Sequence, residues 1–509
     1  MGKIIDKNDF AEIRKQAKKR GEKIILCHGV FDLIHPGHIQ HFQEAKKQGD
    51  ILVVSITAEQ YVRKGLGRPY FNDELRMRSL AALECIDYVL LSESYTVADI
   101  LEFVRPDLYV KGQEYENEAD DITGKILEEI ALVRQYGGDI YYTKGDVFSS
   151  TKLINAALPV FSDDMKKYLT EFRKNNCMDD ILNCANKMSE LKVLVVGDVI
   201  IDDYIFCKVQ GMMSKNMGYS ARYIKEEMYL GGSLAIGRNL ADFTSNVTVM
   251  SIIGEEEKIN SQLEKESKGK FTVDFVKSEL FHTIVKKRYV EPDDKRKELD
   301  KIFVINNLSE SMGIDKSAMD NFKEKLKKKI NNFDVVFLCD FGHGLIDDEV
   351  IEIIQNNAKQ LILNCQTNSS NYGLNLITKY SKTDFFTIDE KELRLAFSDY
   401  KQSADNLLER LERHLKGHGW LTRGSKGAVS IENGNQNNCP AFVLDVTDTI
   451  GAGDAFFALA GLAVAAGGTV EQGTFLGNIA GALAANIVGN KEHLEKVNIL
   501  KYASTLLNF

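Results

Sequence analysis

The sequence predicts two α/β domains in series, and three observations carry that expectation. At 509 residues and 57.2 kDa the chain is too long for one ordinary hydrophobic core. Near its start, the apolar run "KIILCHGVF" is followed by the helical pattern "GHIQHFQEAKKQG" and by a second apolar run, "DILVVSITA". Strand, loop, helix and strand in that order are the unit of a parallel sheet with a crossover helix. The same alternation restarts at "KVLVVGDVIIDDYI" and runs on towards the chain end.

The elements follow in order. Residues 1–22 read as a helical lead-in, with the periodic stretch at 8–20. The first α/β domain is expected over 23–158. Its opening helix is stopped by Gly49, and further strands are expected at "YVLLS", "LYVKG" and "DIYYTKG". Residues 159–190 are charged and helical in period, without strand signals, and read as a helical linker or a packing helix pair. The second domain is expected over 191–509. The Lys/Asn-rich "KEKLKKKINN" within it is a solvated helix face.

Composition bounds the function. Hydrophobic residues make up 44% and charged residues 27%, a globular balance. A formal net charge of −10 and a pI near 5.6 argue against a nucleic-acid or membrane-surface binder. No apolar signal region opens the chain, and "AFFALAGLAVAA" is too short and too rich in small residues to span a bilayer. Eight cysteines without a CxxC pair fit reduced thiols, so a cytoplasmic protein is expected.

The stretch "GVFDLIHPGHIQHF", with the preceding His28, holds four of the nine histidines. A structural zinc site needs four converging Cys/His ligands, and His28, His35, His38 and His41 are split between a strand end, a loop and a helix. His41 reads as a packing histidine, and His28 is open between packing and function. His35 and His38 bracket Pro36-Gly37 at the helix start, where proline presets the first turn and glycine permits close approach. Free amides there attract anions, and two imidazoles add donors suited to phosphate oxygens.

This H-x-G-H arrangement after "GVFD" resembles the cytidylyltransferase-like nucleotidyltransferase superfamily, and the resemblance covers about 23–158. It implies a Rossmann-like domain in which Gly29, Phe31, Asp32 and Gly37 line a nucleotide. It also implies that His35 and His38 act on its phosphates. By the same resemblance Lys46, Arg76 of "GRPYFNDELRMRSLAALECIDYV", and Ser150 and Thr151 of "FSSTKLI" hold the triphosphate. Lys111 and Gly112 of "VRPDLYVKGQEY" line the base. "LYVKGQEY" is more similar to the heptose 1-phosphate adenylyltransferase branch than to the glycerol-3-phosphate cytidylyltransferase branch. ATP is therefore the implied nucleotide, with CTP as the alternative.

A second anion nest is expected at Gly451, Ala452 and Gly453, directly before an apolar helix with Asp454 in its first turn. Phosphoryl transfer to a hydroxyl needs both a base and a cradle for the leaving charge. The pattern D-T-x-G-A-G-D resembles the ribokinase-like (PfkB) sugar kinases, which implies a ribokinase-like α/β fold with Asp454 as the general base. By that resemblance Asp198, Asp203, Gly231 and Gly232 face the sugar. Thr422, Gly424 and Gly427 of "LTRGSKGA" face the nucleotide, and Asp389 and Glu392 of "TIDEKE" hold magnesium through water.

Among these kinases the heptose 7-phosphate kinases are the most similar. Against them Ala235 replaces an asparagine, His343 of "CDFGHG" stands at a lysine position, and Asp389 stands at another asparagine. The two domains together imply an enzyme of nucleotide-activated sugar synthesis, most simply ADP-heptose, in reversed domain order. It would use Mg2+, a sugar phosphate and a nucleoside triphosphate, as a homodimer. The alternatives are a cytidylyltransferase fused to a kinase of other sugar specificity, and an active transferase carrying a pseudokinase for dimerisation or regulation.

Overall fold

In the computed structural model, six apolar runs near the N-terminus form one all-parallel sheet. They are β1 (Lys3–Ile4), β2 (Ile24–Gly29), β3 (Ile51–Thr57), β4 (Tyr88–Ser92), β5 (Leu108–Gly112) and β6 (Asp139–Thr143), in the order β1-β4-β3-β2-β5-β6. The lead-in thus supplies an edge strand, Lys3 pairing with Tyr88, besides its helix Lys7–Arg20. Strand side chains alternate faces, so Ile24 and Leu26 join one core cluster while Ile25 and Cys27 join another on the opposite side. Burial on both faces is why these strands read as unbroken apolar runs. From β2 the chain runs to β3 on one side, and β5 pairs on the other, which makes the carboxyl end of β2 a topological switch point.

The structure describes residues 2–62, 67–113, 126–144, 161–215, 217–292, 299–308, 313–368, 371–443 and 446–508. The chain divides into one unit of Met1–Ser162 with Leu500–Phe509 and a second of Asp163–Ile499.

The second unit holds two sheets. Its strands are β7 (Val193–Gly197), β8 (Val199–Met212), β9 (Tyr219–Gly232), β10 (Val247–Ile253), β11 (Thr272–Lys277), β12 (Ile284–Pro292), β13 (Leu299–Asn307), β14 (Val335–Asp340), β15 (Leu361–Cys365), β16 (Phe385–Asp389), β17 (His418–Thr422), β18 (Ala428–Glu432) and β19 (Asn435–Cys439). Nine of them order as β11-β10-β7-β14-β15-β16-β17-β18-β19, parallel as far as β17 and antiparallel beyond. The other four form a separate sheet, β13-β12-β8-β9.

The apolar helix Ala452–Ala465 is buried over Ala455–Val464 and packs Phe457 edge-on against Phe337 of β14. It is hydrophobic all round because it is a core helix. Among the described residues no helix is long and apolar enough to cross a membrane. The helices Asp163–Phe172 and Met178–Met188, expected as a linker or packing pair, lie within the second unit. Phe172 stacks on Phe475 at 4.4 Å, Asn176 donates to Glu471, and the Cys184 thiol donates to Ala463 O.

Candidate active sites

The first site is built at the switch point. β2 ends in His28 and Gly29, the chain turns through Phe31 in the left-handed region (φ 46), and the helix Pro36–Lys46 begins. His35 is its N-cap, its Nδ1 accepting from the His38 amide at 3.4 Å, with Pro36 in the first turn. The His35 and His38 rings stack at 3.8 Å, and Phe31 packs edge-on against His38 at 5.3 Å. Burial lowers the His35 pKa and so favours its neutral ring, which keeps one N–H to donate. Lys111 and Gly112 lie at the end of β5, beside β2, so the second expected segment reaches the same crevice. Lys111 pairs with Glu129 at 2.8 Å.

Several expected site residues have other work. Lys46 is in the last turn of its helix, about 15 Å along the axis from the N-terminal amides at 1.5 Å per residue. It donates to Asp87 at 2.6 Å and to Asp50 O at 2.5 Å, so it does not reach the anion site. Arg76 is 1% exposed and spends its guanidinium on Val30 O, Thr57 O and Asp73 at 2.7, 2.9 and 2.5 Å. It ties together the chain ends of β2 and β3 and so shapes the site from beneath. Asp32 accepts from the Tyr70 and Phe71 amides at 2.8 and 2.9 Å and faces Arg68 at 3.7 Å, anchoring the loop over the crevice. Ser150 and Thr151 lie outside the described residues. His28 binds Ser55 at 2.8 Å, and His41, pushed down to about 4 by burial, binds Thr143 at 2.8 Å. Among the described residues no group of three His, Cys, Asp or Glu could hold a metal ion.

The second site lies along the carboxyl edge of the large sheet. β7 leads into Asp198, β14 ends in Asp340, β15 leads into Gln366, β16 ends in Asp389 and β17 ends in Thr422. Gly451 caps the helix Ala452–Ala465 with φ 84, a left-handed conformation that suits glycine. Asp454 follows in the first turn, half-buried, with one carboxylate oxygen accepting from Gln366 Nε2 at 2.8 Å. Burial pushes its pKa up to about 6. The Gln366 amide and the Lys286 ammonium hold it down, and Asp202 pushes it further up.

Asp198 is 2% exposed. Its pKa is pushed up to about 7 by burial and by Asp340, although the Phe341 amide donates to it at 3.2 Å. Gly231 and Gly232 permit the close approach here: a Cβ on the first would meet Asp202 Oδ2 at 2.5 Å, and on the second Asp198 O at 2.6 Å. Asp203 does not belong to this group. Neighbouring residues of β8 face opposite sides, and Asp203 faces Lys287 at 3.5 Å, while Asp202 is the member whose charge Asp454 feels.

Asp389 and Glu392 form a capping box on the helix Glu390–Phe397, and Glu392 also accepts from the Thr367 amide at 2.8 Å. Burial and Asp389 push Glu392 up to about 8, so it is protonated at neutral pH in this arrangement. Thr422 sits beside Asp389 in register, and Gly424 and Gly427 shape the turn after it. His343 is buried and pushed down to about 4, hence neutral. Three participants had no motif to announce them: Gln366, Asp202 and Lys286. Lys286 faces Asp202 in register on β12, and the alternation of Lys286 and Arg288 in "TIVKKRYV" was the only available sign.

The geometry defines a class first: a nucleotidyltransferase-type parallel sheet with a histidine-bearing helix start, joined to an α/β kinase fold with an acid at its glycine nest. Residues 26–156 match the family model described as cytidylyltransferase-like, and residues 191–496 match the pfkB family carbohydrate kinases. The chain belongs to the pfkB family carbohydrate kinases and carries a cytidylyltransferase-like domain before the kinase domain.

It is similar to the bifunctional protein HldE of Geobacter metallireducens, 36% identical over 165 residues, 32% of each chain. HldE of Aliarcobacter butzleri is 37% identical over 135 residues, 25% of this chain and 28% of that one. The chain spans about a third of the length of the curated relatives it matches. Phosphofructokinase-2 of Escherichia coli, solved with substrates and products, shares the fold at a TM-score of 0.50 and 14% identity, over 61% of this chain and 98% of that one.

Proposed function

We propose that the chain makes a nucleotide-activated sugar in two steps. In the kinase unit the anomeric hydroxyl of a sugar phosphate attacks the γ-phosphorus of ATP. Its proton passes to Asp454, the bond to ADP breaks, and the Gly451–Gly453 amides receive charge on the phosphates. In the first unit an oxygen of the resulting 1-phosphate attacks the α-phosphorus of a second ATP and pyrophosphate leaves. The nucleophile is already ionised, so the histidine pair and helix start work by positioning and charge neutralisation.

The observation that carries this reading is Asp454, held by Gln366 at 2.8 Å in the first turn after left-handed Gly451. A heptose phosphate as acceptor, and ADP-heptose as product, rest on the resemblance of "LYVKGQEY" and the "VVGDV" opening. Both domain families use ATP and typically Mg2+. Asp389 is exposed and fits a hydrated magnesium, which keeps several waters, while both Glu392 oxygens already accept backbone amides. Bound there, the metal would neutralise charge on the nucleotide phosphates.

The homodimer is supported by the small sheet. Tyr219 and Tyr223 of β9 and Phe303 and Ile305 of β13 are exposed, with Met212 and Met217 at the hairpin end of β8. Exposed apolar side chains at both edges of the sheet suit a partner surface, and a second copy of this chain is the proposed one.

The test is to supply ATP, CTP, Mg2+ and a panel of seven- and six-carbon sugar phosphates, and to identify the nucleotide-sugar formed. ADP-heptose is the expected product. A CDP-sugar would overturn the choice of nucleotide. Consumption of the 1-phosphate alone, with no phosphorylation of any acceptor, would reduce the kinase unit to a non-catalytic module.

A further inference from the structure

A chain of amides runs from the large sheet to Asp454, and each link fixes the next. Asn364 of β15 lies beside Thr387 of β16 in register. Its Nδ2 donates to Thr387 O at 3.2 Å and to Thr387 Oγ1 at 2.9 Å. A backbone carbonyl can only accept, so the Asn364 amide cannot be turned over, and its Oδ1 faces Gln366. Gln366 Nε2 donates one hydrogen to that Oδ1 at 2.8 Å and the other to Asp454 Oδ1 at 2.8 Å. Turning the Gln366 amide over would set its carbonyl against two acceptors.

The Gln366 backbone is held as firmly as its side chain. Its N–H donates to Asp340 O at 2.8 Å, and its carbonyl accepts from Asn375 Nδ2 at 3.0 Å. The next amide, that of Thr367, donates to Glu392 at 2.8 Å. Asn364 and Thr387 are buried, where an unmade hydrogen bond is costly. The titratable groups around Asp454 are Asp202 on β8, Lys286 on β12, Cys339 on β14 and Glu392 on the helix Glu390–Phe397. Among the described residues, Gln366 is the side chain that hydrogen-bonds Asp454.

We infer that Gln366 is a positioning residue for Asp454: its amide occupies Oδ1 and leaves Oδ2 as the oxygen that takes the acceptor's proton. This rests on the kinase reading above. The acceptor hydroxyl oxygen forms the new O–P bond, and its proton passes to Asp454 Oδ2. The bond to ADP breaks with its electron pair on the departing β-phosphate oxygen. Gln366 exchanges no proton. It stabilises the ionised carboxylate and stops it from turning, so that one oxygen stays aimed at the acceptor.

Gln366→Met and Gln366→Lys in the full chain test this, with kcat and KM measured across a pH series for the acceptor that the wild type phosphorylates best. In Gln366→Met the ionised carboxylate loses its donor, so the acid limb of kcat/KM should move up by about one pH unit. At pH 8, above the limb, kcat should fall by about ten- to a hundredfold, because the carboxylate is free to turn. KM for ATP should stay within about threefold, which shows that the kinase unit has folded. Gln366→Lys returns a donor that carries charge, so its acid limb should lie at or below that of the wild type. A Gln366→Met acid limb at the wild-type position would overturn the inference, even with a lower kcat, since the residue would then be structural only. An acid limb in Gln366→Lys above the wild-type position would overturn it independently. So would a loss confined to KM for the acceptor, which would make Gln366 a holder of the acceptor. If the wild type itself phosphorylates nothing, the kinase reading fails and the inference fails with it; the two failures are separated by the wild-type assay.

Discussion

At pH 7 the Asp454 carboxyl, pushed up to about 6, is largely ionised yet basic enough to take a hydroxyl proton. The kinase kcat/KM should therefore fall below about pH 6 with a single-proton acid limb, measured as ADP release across a pH series. Asp454→Asn keeps the Gln366 contact but cannot accept the proton, and should cost at least about a hundredfold in phosphorylation. Sugar 1-phosphate, supplied preformed, should restore full nucleotide-sugar output in that variant.

Asp198 makes a second, opposite statement at the same scale. Its pKa is pushed up to about 7 in the fold against an ordinary 3.8, so the folded chain holds a proton that the unfolded chain has released. Stability contributed this way is present at low pH and is lost as pH rises between those two values. Asp198→Asn should raise the thermal transition of the second unit at pH 8 and leave it unmoved at pH 4, while acceptor binding weakens. A transition unmoved at pH 8 would show that the buried carboxylate is compensated by groups not identified above.

Helix starts are the elements that carry both sites. In the first, His35 caps the helix Pro36–Lys46 and stacks on His38, so His38→Ala should lower pyrophosphate release by about two to three orders of magnitude. Kinase turnover should persist. Near-normal release would remove the assigned role. The other end of the same helix behaves differently. Lys46 is bound to Asp87 and Asp50 O, so Lys46→Met should destabilise the first unit by a few degrees in Tm and leave ATP affinity unchanged. A large loss of affinity with unchanged Tm would restore Lys46 to the triphosphate. The position was misleading because a basic residue ten positions into a helix is close in sequence but three turns distant in space.

For the whole molecule, two outcomes follow from the partners of the first unit's histidines and from the exposed side chains of the small sheet. EDTA should abolish activity by removing magnesium while thermal stability stays almost unchanged, since His28 and His41 are taken up by Ser55 and Thr143. Stoichiometric zinc in purified protein would overturn that. Phe303→Asp, or Tyr223→Asp, should shift the protein from dimer to monomer in sedimentation analysis, because a buried charge in an apolar interface goes unpaired. A monomeric wild type would remove the dimer.

Local chemistry decides what a sequence can announce. The apolar runs of β2, β3 and β7, the proline and glycine at the start of the helix Pro36–Lys46, and the D-T-I-G-A-G-D turn before Asp454 were legible because each is contiguous. Their hydrogen bonds and φ values are satisfied within a few residues. Tertiary structure decided the rest. Asp202, rather than Asp203, is the neighbour that Asp454 feels because strand pairing selects one face of β8. Arg76 and Asp32 became buried props, and Glu392 a helix cap, because nearby backbone groups needed partners once burial removed water. Gln366 and Lys286 reach Asp454's surroundings from 88 and 168 residues away in sequence, so only the folding of separate strands to one sheet edge could place them there.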